Sequence, residues 1–288
     1  MISVIIINYK QKEFTRKCVE SVYGIIKSVP VEVIVINNSP EEALSFSDSD
    51  FPGLKIIENV NRGYSEANNK GADIAKGEYL FFLNADTEVK SDFASDLIKR
   101  FSGINFGAIG LKLMNSDGTF QLSYWKENTF FNEIQNKKSE SEFKKRNSEF
   151  VRNEENNMKE ITEVDWVTGA ALIVKKDEFF KAGKFDEEYF LFYEDADLCK
   201  RFTDRGLPVY FYPFSEIIHH KGENVNPLFR SDSYYHSKKS QMLYYKKHNG
   251  LIDNFLLRAY LLIKFSLLYL FTFKEINLKI VKAAAGFA

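Results

Sequence analysis

Asn84-Ala85-Asp86 closes an apolar run, Tyr79-Leu80-Phe81-Phe82-Leu83. Two oxygen-bearing side chains spaced i, i+2 at the carboxyl end of a buried strand can hold a hard divalent cation, and through it a diphosphate. Asn and Asp also form ordinary turns, so the tripeptide alone leaves both readings open. A second cluster, Glu194-Asp195-Ala196-Asp197, follows the aromatic pair Phe192-Tyr193. One acid there would cap a helix start, but three acids in four residues exceed what capping needs, and one can serve as a general base. The third cluster is Glu216-Ile217-Ile218-His219-His220-Lys221-Gly222, a short apolar strand ending in two of the four histidines. Their side chains alternate faces of an extended segment, so only one of them points at a site.

These clusters need a scaffold. Val4–Ile7, Val31–Ile36, Leu54–Glu58 and Tyr79–Leu83 read as strands, separated by helical periodicity over Phe14–Val29 and Ser65–Ala75. That alternation predicts an α/β fold with a mainly parallel sheet flanked by helices. The first strand runs into Asn8-Tyr9-Lys10-Gln11-Lys12, with no glycine before Gly24, which removes a dinucleotide-binding turn. Residues 126–160 turn polar and mixed in charge, and read as a surface excursion, with room for a solvated helix and in part mobile. The domain reading is one unit over 1–250, with a nucleotide-binding half over 1–100 and an acceptor-side half over 101–250, followed by a helical tail over 251–288.

A net charge of −1 argues against a nucleic-acid binder. Cys18 and Cys199 lie far apart and suggest neither a metal knot nor a disulfide framework. No secretory signal precedes the first strand, so the cytoplasmic side is expected. Phe255–Phe273 is dense in Leu, Phe and Tyr but carries Arg258 and Lys264, and Lys274, Lys279 and Lys282 follow. Two cations weaken a full span and suit a helix lying in the membrane interface, at the inner face of the cytoplasmic membrane. Packing on the protein's own core or in a dimer is the alternative.

Taken together, the clusters resemble those of family 2 glycosyltransferases of the GT-A fold, rhamnosyltransferase-like branch of bacterial surface polysaccharide synthesis. The resemblance rests on Val4-Ile5-Ile6-Ile7-Asn8-Tyr9, Val35-Ile36-Asn37-Asn38-Ser39, Asn59-Val60-Asn61-Arg62-Gly63-Tyr64, Asn68-Asn69-Lys70-Gly71 and Leu83-Asn84-Ala85-Asp86-Thr87. It continues through Trp166-Val167-Thr168-Gly169-Ala170, Phe185-Asp186-Glu187, Glu194–Leu198 and His219–Gly222. It implies Asp86 and His219 as ligands of Mg²⁺ or Mn²⁺, with His219 preferred over His220 because it heads the His-x-x-Gly pattern. It implies Asp195 as catalytic base, with Glu194 as the alternative.

Donor contacts are implied for Asn8, for Asn37 and Asn38 near the nucleotide base, and for Asn61, Gly63 and Asn69. Asn84 and Ala85 would touch the sugar or ribose, which would lie over Gly169 and Ala170. Asn37 stands where the family usually has Asp, which loosens the identity of the base among dTDP-, UDP- and GDP-sugars. The implied reaction is inverting transfer of a hexose or a deoxyhexose such as rhamnose to a glycan or polyprenyl-linked glycan. The rivals are a non-catalytic glycan-binding or scaffolding subunit of the same fold, and a nucleotidyltransferase. The latter wants a Gly-rich basic N-terminal loop that this chain lacks.

Overall fold

The computed structural model describes every residue except 45, 47, 48, 146, 158, 221–226 and 287–288; the side chains of 227–231 are also not described. Lys221 and Gly222, the end of the third cluster, lie outside the described residues. Four parallel strands open the fold: β1 (Ile2–Asn8), β2 (Val31–Asn37), β3 (Lys55–Glu58) and β4 (Tyr79–Asn84). Between them run α1 (Lys12–Ile25) and α2 (Tyr64–Ile74). Val4, Ile6, Phe81 and Leu83 face the core shared with Cys18, Val19 and Val22 of α1. Ile5, Leu80 and Phe82 face a second core shared with Ala67 and Ala72 of α2. Burial on both faces is why these strands read as unbroken apolar runs. Helix α1 stops at Ile25, short of Val29. The backbone N–H groups of Lys27 and Ser28 turn out to donate to Asp92 Oδ2 at 2.8 and 2.7 Å, and Pro30 disfavours helix before it.

The chain continues with β5 (Thr87–Val89), α3 (Ala94–Arg100), β6 (Ala108–Met114), β7 (Phe120–Gln121) and β8 (Tyr124–Trp125). Two helices follow, α4 (Phe130–Lys144) and α5 (Ser148–Asn157), then β9 (Thr162–Val164), β10 (Trp166–Val167), β11 (Ala171–Lys175) and α6 (Lys176–Lys181). The remainder is α7 (Glu194–Thr203), β12 (Val209–His219), α8 (Pro227–His248), α9 (Leu251–Thr272) and α10 (Glu275–Ala284). Among the described residues the main sheet runs β3-β2-β1-β4-β11-β6-β12-β5, with β7 on β6 and β9 on β12. β11 is antiparallel to both β4 and β6, and β5 is antiparallel to β12, so the sheet is mixed with a parallel half. This is the mixed sheet flanked by helices that the sequence predicts.

Two regions carry more detail than the sequence reading. The polar excursion contains α4 and α5, in keeping with the solvated helix it had room for. Thr129 caps α4 by accepting from Asn132 N at 3.3 Å, and Phe143 packs on Phe120 and Phe150. The helices after residue 250 do not hang free. Leu257, Leu261, Phe265 and Ile280 pack with Met242, Tyr244 and Tyr245 of α8, with Ala196 of α7 and with Tyr189 before it.

Candidate active site

Strand β4 delivers Asn84 and Asp86 to the carboxyl edge of the sheet. The chain then turns into β5, whose Thr87 lies opposite His219 at the end of β12. The His220 amide donates to Asp86 O at 2.9 Å and extends that ladder. The outcome is a His219 Nε2 to Asp86 Oδ1 separation of 3.4 Å, with both side chains about nine-tenths buried. His219 Nδ1 lies 2.7 Å from Gln121 Oε1. Gln121 Nε2 donates to Asn115 Oδ1 at 2.8 Å and to His219 O at 3.3 Å, so its oxygen must be the end that faces the ring. Nδ1 therefore donates to Gln121, which leaves Nε2 as the ring nitrogen facing Asp86, the orientation a metal-binding imidazole needs. His220 goes elsewhere. Its Nε2 sits 2.9 Å from Glu88 Oε1, its Nδ1 3.0 Å from Ser116 Oγ, and its ring lies against Phe14.

Among the described residues no three His, Cys, Asp or Glu side chains cluster as a metal cage. Two protein ligands suit Mg²⁺ or Mn²⁺, which complete their shells with phosphate oxygens and water. The donor set of Asp86 and His219 thus fits such an ion.

The base candidates sit at the start of α7. Gly169 N donates to Asp195 Oδ2 and Ala196 N to Asp195 Oδ1, both at 2.8 Å. Burial pushes the Asp195 carboxyl above the usual aspartate range, and those two N–H groups pull against it. Glu194 is 5 % exposed and its Oε2 finds no partner. Burial first, then the charges of Asp195 and Asp197, push it well above the usual carboxylate range, which favours the neutral acid. Asp197 is no free acid: it pairs with Arg201 at 2.7 Å and with His248 at 2.7 Å.

Tyr64 joins the two ends of the site. Its hydroxyl lies 3.0 Å from Asn84 Oδ1 and 3.1 Å from Gly169 O. A hydrogen-bonded path thus runs from Asp195 through Gly169 and Tyr64 to Asn84, two residues from Asp86. Ala85 and Ala170 are buried, and Asn84 N donates to Ala170 O at 3.0 Å, so this pair fixes β4 to β11. A Cβ on Gly169 would lie 3.5 Å from Asp195 Cβ, so Gly169 borders the base more closely than it leaves open space.

Several of the expected donor-contact residues have structural partners within the protein. Asn8 and Asn37 have no exposed surface: Asn8 Nδ2 donates to Asn37 Oδ1 at 2.8 Å, and Asn37 Nδ2 donates to Glu58 Oε2 at 2.8 Å. Asn69 clamps the turn at Phe185, accepting from its N–H at 3.0 Å and donating to its carbonyl at 2.9 Å. Gly63 has φ 114°, and a Cβ there would meet Phe190 O at 2.6 Å, so it serves close backbone approach. These four also hold the surrounding loops in place. Asn38 is nearly buried, accepting from Asn59 Nδ2 at 2.9 Å, while Asn61 is half-buried and its Oδ1 accepts from Gly63 N at 3.1 Å. Tyr64 and Gln121 carry the geometry and were not singled out from the sequence. Tyr64 ends the Asn61-Arg62-Gly63-Tyr64 run, whereas nothing local to Gln121 marks it.

Asp195 and His219 open onto one cleft of about 1090 Å³. Its far walls come from α4 and α5, with Trp125, Trp166, Thr168 and Tyr193 between. The excursion over 126–160 therefore walls the cleft.

A family model described as Glycosyl transferase family 2 matches residues 3–161, more than half of the chain. The chain belongs to that family. Its match to the rhamnosyltransferase WbbL of Escherichia coli K12 is 22 % identical over 256 residues, covering 83 % of this chain and 91 % of that protein. Similarity to the low-salt glycan biosynthesis hexosyltransferase Agl10 of Haloferax volcanii is 26 % over 206 residues, 69 % of this chain and 61 % of that one. An N-acetylglucosaminyl-diphospho-decaprenol L-rhamnosyltransferase of Mycobacterium tuberculosis is 30 % identical over 113 residues, 36 % of this chain and 37 % of that one. The match thus spans less than two thirds of two of these three curated relatives, 61 % of one and 37 % of the other. In fold, the family 2 chain superposes on the mannosyltransferase PcManGT of Pyrobaculum calidifontis, solved with GDP-Man and Mn²⁺. The TM-score is 0.56 at 13 % identity, covering 99 % of this chain and 86 % of that one. These names fit the rhamnosyltransferase-like branch.

Proposed function

We propose that this family 2 chain moves a hexose or deoxyhexose from a nucleotide-diphosphate donor to a glycan or lipid-linked glycan hydroxyl, inverting the anomeric centre. The observation that carries the reading is the pairing of Asp195 and His219 on one cleft, with Asp86 beside His219 and Tyr64 linking the two ends. Asp86 and His219 would hold a divalent cation, which offsets charge on the departing diphosphate. Asp195, oriented by Gly169 N and Ala196 N, takes the acceptor proton. Within the acidic cluster Glu194 is buried and Asp197 is paired, which leaves Asp195 as the carboxylate of that cluster presented to the cleft. The relatives named rhamnosyltransferase and hexosyltransferase support the substrate class. Incubation with dTDP-, UDP- and GDP-sugars and Mn²⁺, the ion in a solved fold neighbour, should release nucleoside diphosphate from at least one donor. No release from any donor, with or without glycan acceptors, would overturn the reading.

We further propose that the protein works at the inner face of the cytoplasmic membrane, on a lipid-linked acceptor. Helix α9 is long and apolar enough to cross a membrane, and it buries one stripe on its own core. Its other faces leave Leu251, Phe255, Ile263, Leu270 and Phe271 more than 60 % exposed. Lys264, Lys274, Lys279 and Lys282 are exposed around it, whereas Arg258 is engaged inside the layer, donating to Ala284 O at 2.9 Å. Apolar faces in the acyl boundary with cations at anionic headgroups favour an interfacial seat. Full-length protein should float with anionic liposomes at low salt, and Ile263→Glu with Phe271→Glu should abolish flotation. A protein that ignores such vesicles and dimerises through this face would contradict the membrane seat and leave the chemistry intact.

A further inference from the structure

The turn that carries the base is strained in a specific way. Phe192 and Tyr193, immediately before Glu194 and Asp195, both have φ 68°. Non-glycine residues keep left-handed backbone only where their surroundings hold them. Four contacts brace this loop. Ser65 Oγ donates to Tyr189 O at 2.8 Å, Tyr64 N to Phe190 O at 2.8 Å and Ser240 Oγ to Leu191 O at 2.9 Å. The fourth lies nearest the base: Tyr193 Oη donates to Glu133 Oε1 at 2.6 Å.

Glu133 belongs to the polar excursion, on the first turn of α4, yet it is 5 % exposed. Its other oxygen accepts from Gln241 Nε2 of α8 and lies 3.3 Å from Lys137 Nζ. A buried carboxylate is retained only where donors satisfy it, and here they come from three separate elements. Glu133, Lys137, Tyr193 and Asp195 all line the same cleft. The carboxylate is therefore the point where the cleft wall grips the turn that aims the base.

We propose that Glu133 is a positioning residue: through Tyr193 it holds the left-handed turn at 192–193 and so fixes the direction of the Asp195 carboxylate. The role rests on the transferase reading above. Glu133 touches no reacting atom, and its effect passes through a side chain that touches none either. Misplacement of a reacting group by about 1 Å can cost on the order of 100-fold.

The test compares Tyr193→Phe, which removes one oxygen, with Glu133→Gln and the double variant. Hydrolysis of whichever nucleotide sugar the wild type turns over fastest should slow by about 10- to 100-fold in kcat. KM for that donor should stay within about twofold, because the donor side is untouched, and the double variant should be no slower than the slower single one. Backbone amide exchange, which needs no substrate, should speed up over residues 189–196 in both single variants and stay unchanged in the parallel strands. Unchanged kcat, losses that multiply, or a rise in KM at constant kcat would overturn the proposal. If the wild type turns over no donor, the transferase reading fails by itself, and amide exchange at 189–196 as slow as wild type would overturn the grip on the turn.

Discussion

Asp195→Asn should lower transfer by at least ~100-fold, about 2.7 kcal/mol of lost transition-state stabilisation, while nucleoside diphosphate binds as before. Asn keeps the volume and can still accept from one of the two flanking N–H groups. The other then faces an amide NH₂, at a cost of about 1 kcal/mol in local order. Glu194→Gln is the discriminating companion. Burial already favours the neutral acid at Glu194, so the amide mimics it and activity should stay near wild type. Loss of turnover in Glu194→Gln with near-normal turnover in Asp195→Asn would reverse the assignment. The pH profile carries the same sign. A base works only when ionised, and burial raises the Asp195 carboxyl. The acid limb of kcat/KM should therefore lie above the ordinary aspartate value of about 3.9, with activity lost as pH falls through it.

Asp86→Ala and His219→Ala should each weaken nucleoside diphosphate affinity in Mn²⁺ and make it insensitive to added cation. Removing an outer-shell partner of a metal ligand costs about 10- to 100-fold in affinity, so loss of a ligand should cost at least that. Gln121→Ala is the intermediate case, because it frees the His219 ring without deleting it. His220→Ala should leave affinity unchanged, since that ring is held by Glu88 and Ser116 at the β5–β12 edge. Titration calorimetry in Mn²⁺ and in chelator measures all four. Equal wild-type affinity in both would remove the metal from the account.

The sequence showed most plainly what packing dictates. Tyr79–Leu83 had to be a strand buried on both faces, and β4 is one, ending at the predicted polar pair. The two histidines part ways, His219 toward Gln121 and Asp86 and His220 toward Glu88 and Ser116, as a strand's period of two requires. Contacts across the sheet were less visible. Gln121 meets His219 because β7 and β12 both pair with β6, a long-range fact with no local trace. Asn8 and Asn37 occupy motif positions, yet the side chains close on each other, which only the register of β1 on β2 reveals. The excursion reads as having room for a solvated helix, but its polar composition does not mark where α4 and α5 begin and end, because their buried contacts are few. Glu133 was one acid among many there, and only the fold brings it to Tyr193 and Gln241.

The central claim is single displacement driven by Asp195, and the anomeric configuration of the first-formed product tests it most directly. Proton NMR of a turning-over reaction, with the donor found in the nucleotide-sugar screen, should show the configuration opposite to that of the donor, and Asp195→Asn should form it at least ~100-fold more slowly. A product that retains the donor configuration would contradict the account, because a single displacement by the acceptor hydroxyl necessarily inverts the anomeric centre.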